Sequence, residues 1–91
     1  MPKRTDNNHS DISSAFRKLG YSVFNMSAVG KGFPDIIIAK HNRNYLIEIK
    51  TNKGKLTPAQ VEFKERWLSP VYIVRSAKDV IKLHREFSKC N

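Results

Sequence analysis

Apolar residues along the chain follow two different periods, and the alternation between the two outlines a fold. Residues 10–20 carry apolar side chains every three to four positions, which predicts a first helix that Ser10 caps and Gly20 ends. Four short runs rich in β-branched and aromatic residues predict strands. These runs lie at 21–25, 35–39, 45–49 and 71–74.

Two further helices are predicted from the residues at which they begin. Thr57-Pro58-Ala59-Gln60 combines an N-cap residue, a proline at the first helical position and a glutamine at the third, which is a capping box. Ser76 caps a last helix. The predicted order is therefore α-β-β-β-α-β-α, a single α/β domain over residues 10–91 with a mixed sheet flanked by helices. A flexible basic arm is expected at 1–9.

Three ionisable residues stand in or beside the two central strand runs, which read as an antiparallel hairpin. With the turn centred on 42–43, Asp35 is expected to face Lys50 across the hairpin. Because side chains alternate along a strand, Glu48 shares their side of the sheet. Opposed Cβ atoms lie roughly 5 Å apart, a spacing that suits a cation between two carboxylates with an ammonium group beside it.

Such a constellation can hydrolyse a phosphodiester bond. A hard cation, Mg²⁺ or Mn²⁺, lowers the pKa of bound water and prefers oxygen ligands. Asp35 and Glu48 are the expected ligands, with the backbone carbonyl of Ile49 as a third. Lys50 would position or deprotonate the water, or stabilise the charged transition state. Spacing alone leaves a structural alternative open, in which Glu48 and Lys50 form an ion pair on a solvated sheet face.

The charge of the chain favours a polyanionic partner. Lysine and arginine number 17 against 8 acidic residues, for a formal net charge of +9. In a 91-residue domain such an excess favours nucleic acid, although a basic protein without that partner is the alternative. No apolar run is long enough to span a bilayer, and the first ten residues lack the apolar core of a secretory signal. Cys90, the one cysteine, is expected to be an unpaired thiol, which fits a reducing cytoplasm.

Two basic loops and one helix face are candidates for contact with phosphates. The glycines of the loop before the hairpin let a backbone approach closely, so Gly30, Lys31 and Gly32 are predicted DNA contacts, with an ordinary connector as the alternative. Lys53 and Lys55 follow the hairpin and are predicted to do the same. The last helix carries a basic stripe that is either a solvated face or a further phosphate-contacting face, at Lys78, Lys82, Arg85 and Lys89.

Two ordered motifs resemble a known family. Gly32-Phe33-Pro34-Asp35, followed after twelve residues by Glu48-Ile49-Lys50, resembles the PD-(D/E)XK nuclease signature. Together with 56–60 and 71–76, these residues resemble the virus-type replication-repair nuclease family, VRR-NUC, over most of the chain. The resemblance implies a metal-dependent DNA endonuclease and matches Asp35, Glu48, Lys50 and Gln60 to the active-site motif of the family.

The short form resembles the stand-alone phage-derived members, which implies a homodimer acting on branched DNA such as four-way junctions, in the cytoplasm of a bacterial host. The sequence departs from the family on the first helix, where a supporting acidic residue is common. Asn8 and Asp11 are the candidates, and neither matches cleanly. Gln60 also has a competing role as the capping-box residue. The alternatives to a junction endonuclease are a non-catalytic DNA-binding module and a nuclease for other DNA or RNA substrates.

Overall fold

The computed structural model describes residues 4–89 and shows three helices and four strands. The elements are α1 (Arg4–Lys18), β1 (Ser22–Asn25), β2 (Ile36–Lys40), β3 (Arg43–Ile49), α2 (Pro58–Arg66), β4 (Val71–Val74) and α3 (Ala77–Lys89). This order confirms the predicted α-β-β-β-α-β-α arrangement. Cys90, for which an unpaired thiol was expected, lies outside the described residues. Within residues 4–89, no helix has both the length and the apolar character needed to cross a membrane.

The four strands form one mixed sheet in the order β1-β2-β3-β4. The first three strands pair antiparallel, and β4 pairs parallel to β3. The parallel pair follows from the connection, because the segment that contains α2 returns the chain to the end of the sheet at which β3 begins, and β4 starts there. The predicted mixed sheet is therefore confirmed.

One face of the sheet carries the hydrophobic core. Helices α1 and α3 lie on this face and contribute Ile12, Phe16, Val80 and Phe87 to a cluster of buried side chains. The strands contribute alternate residues, Ile36 and Ile38 from β2, Ile47 and Ile49 from β3 and Val74 from β4. Glu48 lies between two of these residues on β3 and therefore points to the opposite face.

Helix α2 lies on that opposite face and has no buried residue. Its aromatic side chains pack on the loop before the hairpin. The ring of Phe33 meets Phe63 edge-on at 5.2 Å between centroids, and Phe63 stacks on Trp67 at 5.0 Å. These ring contacts hold the second half of α2 against the loop before the hairpin.

The first helix starts earlier than the sequence pattern predicts. We expected a start at Ser10, but α1 begins at Arg4 and includes residues 4–9, which we had assigned to the arm. The prediction followed the apolar period, whereas the polar residues Asn8 and His9 contact the hairpin. Asn8 Nδ2 donates to the backbone carbonyl of Lys50 at 3.1 Å.

The predicted end of α1 is confirmed, and its geometry explains the glycine. Gly20 has φ +94°, a conformation that side chains disfavour. The Tyr21 amide donates to the Phe16 carbonyl at 3.1 Å, and the Gly20 amide donates to the Arg17 carbonyl at 2.9 Å. This pair of bonds is the Schellman motif, which closes a helix and redirects the chain into the following strand.

The register of the hairpin differs from the predicted one. The turn consists of His41 and Asn42, with φ of 54° and 64°, as a two-residue type I′ turn requires. Ile36 pairs with Ile47, so the ladder extended by one residue places Asp35 opposite Glu48 rather than opposite Lys50. Moving the turn by one residue shifts every partner by two, so the faces are preserved.

Candidate active site

The structure brings four of the predicted site residues together at one end of the hairpin. Asp35 Oδ2 accepts a hydrogen bond from the backbone amide of Ile49 at 2.8 Å. Glu48 Oε2 accepts one from Gln60 Nε2 at 2.9 Å, and Lys50 Nζ lies 3.6 Å from the same oxygen. The two carboxylates, the ammonium group and the amide therefore form a single cluster.

Asp35 and Pro34 leave the two polar backbone groups of Ile49 in different situations. Continuing the register of the hairpin puts Pro34 opposite Ile49. The Ile49 amide donates to the Asp35 carboxylate, whereas proline has no amide hydrogen to donate to the Ile49 carbonyl. A strand residue points its N–H and C=O to the same side, so the Ile49 carbonyl also points to this edge, where Pro34 offers it no donor.

Glu48 carries the strongest electrostatic perturbation among the described residues. The residue is 3% exposed. Burial, together with the neighbouring Asp35 carboxylate, raises the pKa of Glu48 to about 8, and the nearby Lys50 ammonium lowers this pKa in part. Without a cation, burial and the Asp35 carboxylate therefore favour the protonated form of Glu48, and the Lys50 ammonium offsets them only in part.

Two adjacent carboxylates with one ammonium group beside them fit a hard divalent cation, which would compensate their negative charge. Among the described residues, no three His, Cys, Asp or Glu side chains are grouped to hold a metal by themselves. A cation here would rely on the carboxylates of Asp35 and Glu48, the Ile49 carbonyl and water. Oxygen ligands with retained waters are what Mg²⁺ prefers, and Mn²⁺ suits the same donors.

Gln60 reaches the site because its helix begins beside it. Thr57 Oγ1 accepts from the Gln60 amide at 3.2 Å, and Gln60 Oε1 accepts from the Thr57 amide at 2.9 Å, which confirms the predicted capping box. Gly32 sets the distance between this helix and the hairpin. A Cβ atom at Gly32 would lie 2.3 Å from the Ala59 carbonyl oxygen, so only glycine permits this approach.

The first helix contributes one predicted and one unpredicted residue to the site. The Asn8 side chain donates to the backbone carbonyl of Lys50, whereas Asp11 is exposed. His9 was not predicted, yet its Nε2 lies 3.6 Å from Asp35 Oδ1. The helical period contained the signal, because His9 precedes the buried Ile12 by three positions and therefore shares its side of α1.

Of the five predicted DNA-contacting residues, all but Gly32 are exposed. Gly30 and Lys31 form an exposed turn, while Gly32 packs on α2. Lys53 and Lys55 are exposed on the loop after β3. The basic stripe of α3 is also exposed, on the side of the sheet opposite to the one that Glu48 faces, at Lys78, Lys82, Arg85 and Lys89.

One interaction orders the loop that carries Lys53 and Lys55. Arg75 Nη1 donates to the carbonyl of Thr51 at 2.7 Å and to the carbonyl of Gly54 at 2.6 Å. The guanidinium group at the end of β4 therefore fixes a tight turn next to the site.

Comparison with known proteins supports the family resemblance. The sequence matches no protein-family model and no curated protein. The structure is similar to a solved structure described as a VRR_NUC domain, with a TM-score of 0.77 and 26% sequence identity. The match covers 92% of this chain and 97% of the other. It confirms the fold and the VRR-NUC resemblance predicted from the motifs.

Proposed function

We propose, on the premise that this chain is a nuclease-type domain of the VRR-NUC family, that it is a metal-dependent endonuclease for branched DNA. The observation that carries the proposal is the pairing of Asp35 with Glu48 across the hairpin. Two carboxylates lie beside the Ile49 backbone there, and the single nearby ammonium group, that of Lys50, only partly offsets their effect on the pKa of Glu48. The net charge of +9 supports DNA as the substrate.

Each residue of the cluster has a role in this chemistry. A divalent cation bound by Asp35 and Glu48 would supply Lewis acidity and a water of lowered pKa. The Gln60 amide holds the Glu48 carboxylate in position. The Lys50 ammonium, beside Glu48, orients the attacking water or stabilises the charge that develops on the phosphate.

A homodimer is the assembly that this function favours. One chain carries one such site, and cutting two strands of a junction symmetrically needs two sites related by a two-fold axis. Large apolar residues on the surface would supply area for a second copy. Phe24 is 67% exposed, Trp67 is 45% exposed and Leu68 is fully exposed.

The test compares labelled four-way junctions, duplex, flap and RNA substrates in Mg²⁺, in Mn²⁺ and in EDTA. We expect the junction to be cut only with metal, and Asp35→Ala to abolish cutting while sparing binding. Glu65→Ala, which removes an exposed carboxylate on α2, is the matched control and should cut normally. Cutting by Asp35→Ala would exclude this site. Salt-sensitive binding without product in any metal would instead support a non-catalytic DNA-binding module.

A further inference from the structure

We propose that a polar groove between α1 and β1 binds a backbone phosphate of the DNA strand that enters the candidate active site. This inference rests on the proposed function. The groove has a volume of about 340 Å³. We call it the α1–β1 groove and define it by its polar lining residues, His9, Ser10, Ser13, Arg17, Asn25 and Ser27.

The groove follows from the periodicity of α1 and from the position of β1. His9, Ser13 and Arg17 are spaced by four residues and therefore form one row along the helix. This row differs from the buried row of Ile12 and Phe16 by one position. Because β1 is an edge strand, nothing in the sheet lies beyond it, and the groove stays open along the outer edge.

The lining is rich in hydrogen-bond donors and contains no carboxylate. Arg17 presents a guanidinium fork, and Ser10 and Ser13 present hydroxyl groups. Asn25 Oδ1 already accepts from the amide of Ser27 at 2.8 Å and from its hydroxyl at 2.6 Å. The amide nitrogen of Asn25 is therefore the part of this side chain that remains to donate. Such a set of donors suits an anion with several acceptor oxygens.

Arg17 is the residue that decides the charge of the groove. Among the side chains that the structure describes, Lys50 and Arg66 each form an ion pair with a glutamate and His9 lies beside Asp35, whereas Arg17 forms no ion pair. An arginine without a carboxylate, in a concave polar surface, keeps its full capacity to bind a phosphate bidentately.

His9 connects the groove with the site. It lines the groove, and its Nε2 lies 3.6 Å from Asp35 Oδ1. A strand whose scissile phosphate lies at Asp35 and Glu48 would therefore pass a neighbouring phosphate into the α1–β1 groove. Contacts of this kind fix the position and direction of the strand without reading its bases.

The test measures binding of four-way junction and duplex DNA in EDTA, where no cutting occurs. Ser13→Asp places a carboxylate in the groove, and Ser14→Asp places the same charge on the neighbouring exposed position. We expect Ser13→Asp to weaken binding about tenfold more than Ser14→Asp, because a like charge replaces a hydrogen-bond donor at the phosphate. Thermal melting of both variants verifies that each is folded.

Arg17→Ala and Lys18→Ala form the second pair, with equal loss of charge on adjacent exposed residues. Arg17→Ala should weaken binding about tenfold and reduce the slope of log K against log salt by about 1, while Lys18→Ala changes both less. Equal effects within both pairs would overturn the groove. That result would leave the proposed function intact if Asp35→Ala still abolished cutting. A difference within the pairs without any cutting would support the groove and reject the nuclease.

Discussion

Gln60 Nε2 donates a hydrogen bond to Glu48 Oε2 at 2.9 Å, while Gln60 Oε1 accepts one from the Thr57 amide at the same distance. One side-chain amide therefore closes the N-terminus of α2 and holds the buried carboxylate of the candidate site. The capping contact and the contact with the candidate site, which compete as interpretations of the sequence, are both present. The position of the carboxylate is thereby coupled to the start of a helix.

Separate substitutions should divide these two roles. Thr57→Ala removes the cap alone and is expected to cost about 1 kcal/mol of stability. Gln60→Ala should cost a similar amount and also lower the cleavage rate at least about tenfold, because a carboxylate loses a hydrogen-bond donor. Chemical denaturation and junction cleavage, measured on both variants, check this expectation. Equal cleavage by the two variants would show that Gln60 acts only as a cap.

The pKa of Glu48 predicts how the metal-free protein responds to pH. The pKa of Glu48 in the folded state, about 8, lies above its ordinary value of 4.5, so the folded state binds more protons than the unfolded state between these limits. Stability in EDTA should therefore fall as pH rises through this window. Glu48→Gln cannot ionise and should remove this dependence.

Thermal or urea unfolding at pH 5 and pH 9 measures the effect. One pKa unit corresponds to about 1.4 kcal/mol. From pH 5 to pH 9, the free energy of unfolding of the parent should therefore fall by at least about 1 kcal/mol more than that of Glu48→Gln. Glu65→Gln, on the exposed face of α2, serves as the control and should follow the parent. A parallel pH dependence for Glu48→Gln and the parent would contradict the pKa assignment.

The elements of this fold and the faces of its strands could be predicted from the sequence more accurately than the register of the hairpin. The apolar runs and the capping box predicted the strands and α2, because burial and local hydrogen bonding act over a few residues. The hairpin turn depends on His41 and Asn42 taking positive φ, which neither residue type demands, so its position was misplaced by one residue. The early start of α1 depends on Asn8 meeting the Lys50 carbonyl, a contact between residues distant in sequence.

The site was predictable in the same unequal way. The alternation of side chains along the strands places three residues on one face, Asp35, Glu48 and Lys50. Moving the turn by one residue shifts each strand partner by two positions, so this shared face does not depend on which of the two turns forms. His9 lies before the predicted helix start, so the helical period can place it on the side of Ile12 only once α1 is known to begin earlier, and its approach to Asp35 depends on tertiary packing. Ion pairs and grooves between elements depend on packing that no local pattern specifies.

Gly32 and Gly30 offer a matched pair of glycines with positive φ, at +82° and +72°. Gly30→Ala meets no atom within 4 Å and should cost about 1 kcal/mol for the backbone conformation alone. Gly32→Ala places a Cβ 2.3 Å from the Ala59 carbonyl oxygen, so α2 must move and carry Gln60 away from Glu48. We expect a larger loss of stability and a loss of cleavage for Gly32→Ala only. Equal stability and equal cleavage of the two variants would show that the close approach of Gly32 to Ala59 is not needed for function.

Arg75 tests whether the loop after β3 contacts DNA as an ordered element. Its Nη1 donates to the carbonyls of both Thr51 and Gly54, and lysine keeps the charge but has a compact ammonium on a flexible stem in place of the rigid planar group. If Lys53 and Lys55 each neutralise one phosphate, the double alanine variant should reduce the slope of log K against log salt by about 2. Arg75→Lys should shift the slope in the same direction, because a loosened loop presents both lysines less well. Arg66→Lys, an exposed arginine on α2, is the control and should keep the slope of the parent. An unchanged slope for Arg75→Lys, beside a reduced slope for the double variant, would mean that the lysines bind without help from the ordered turn.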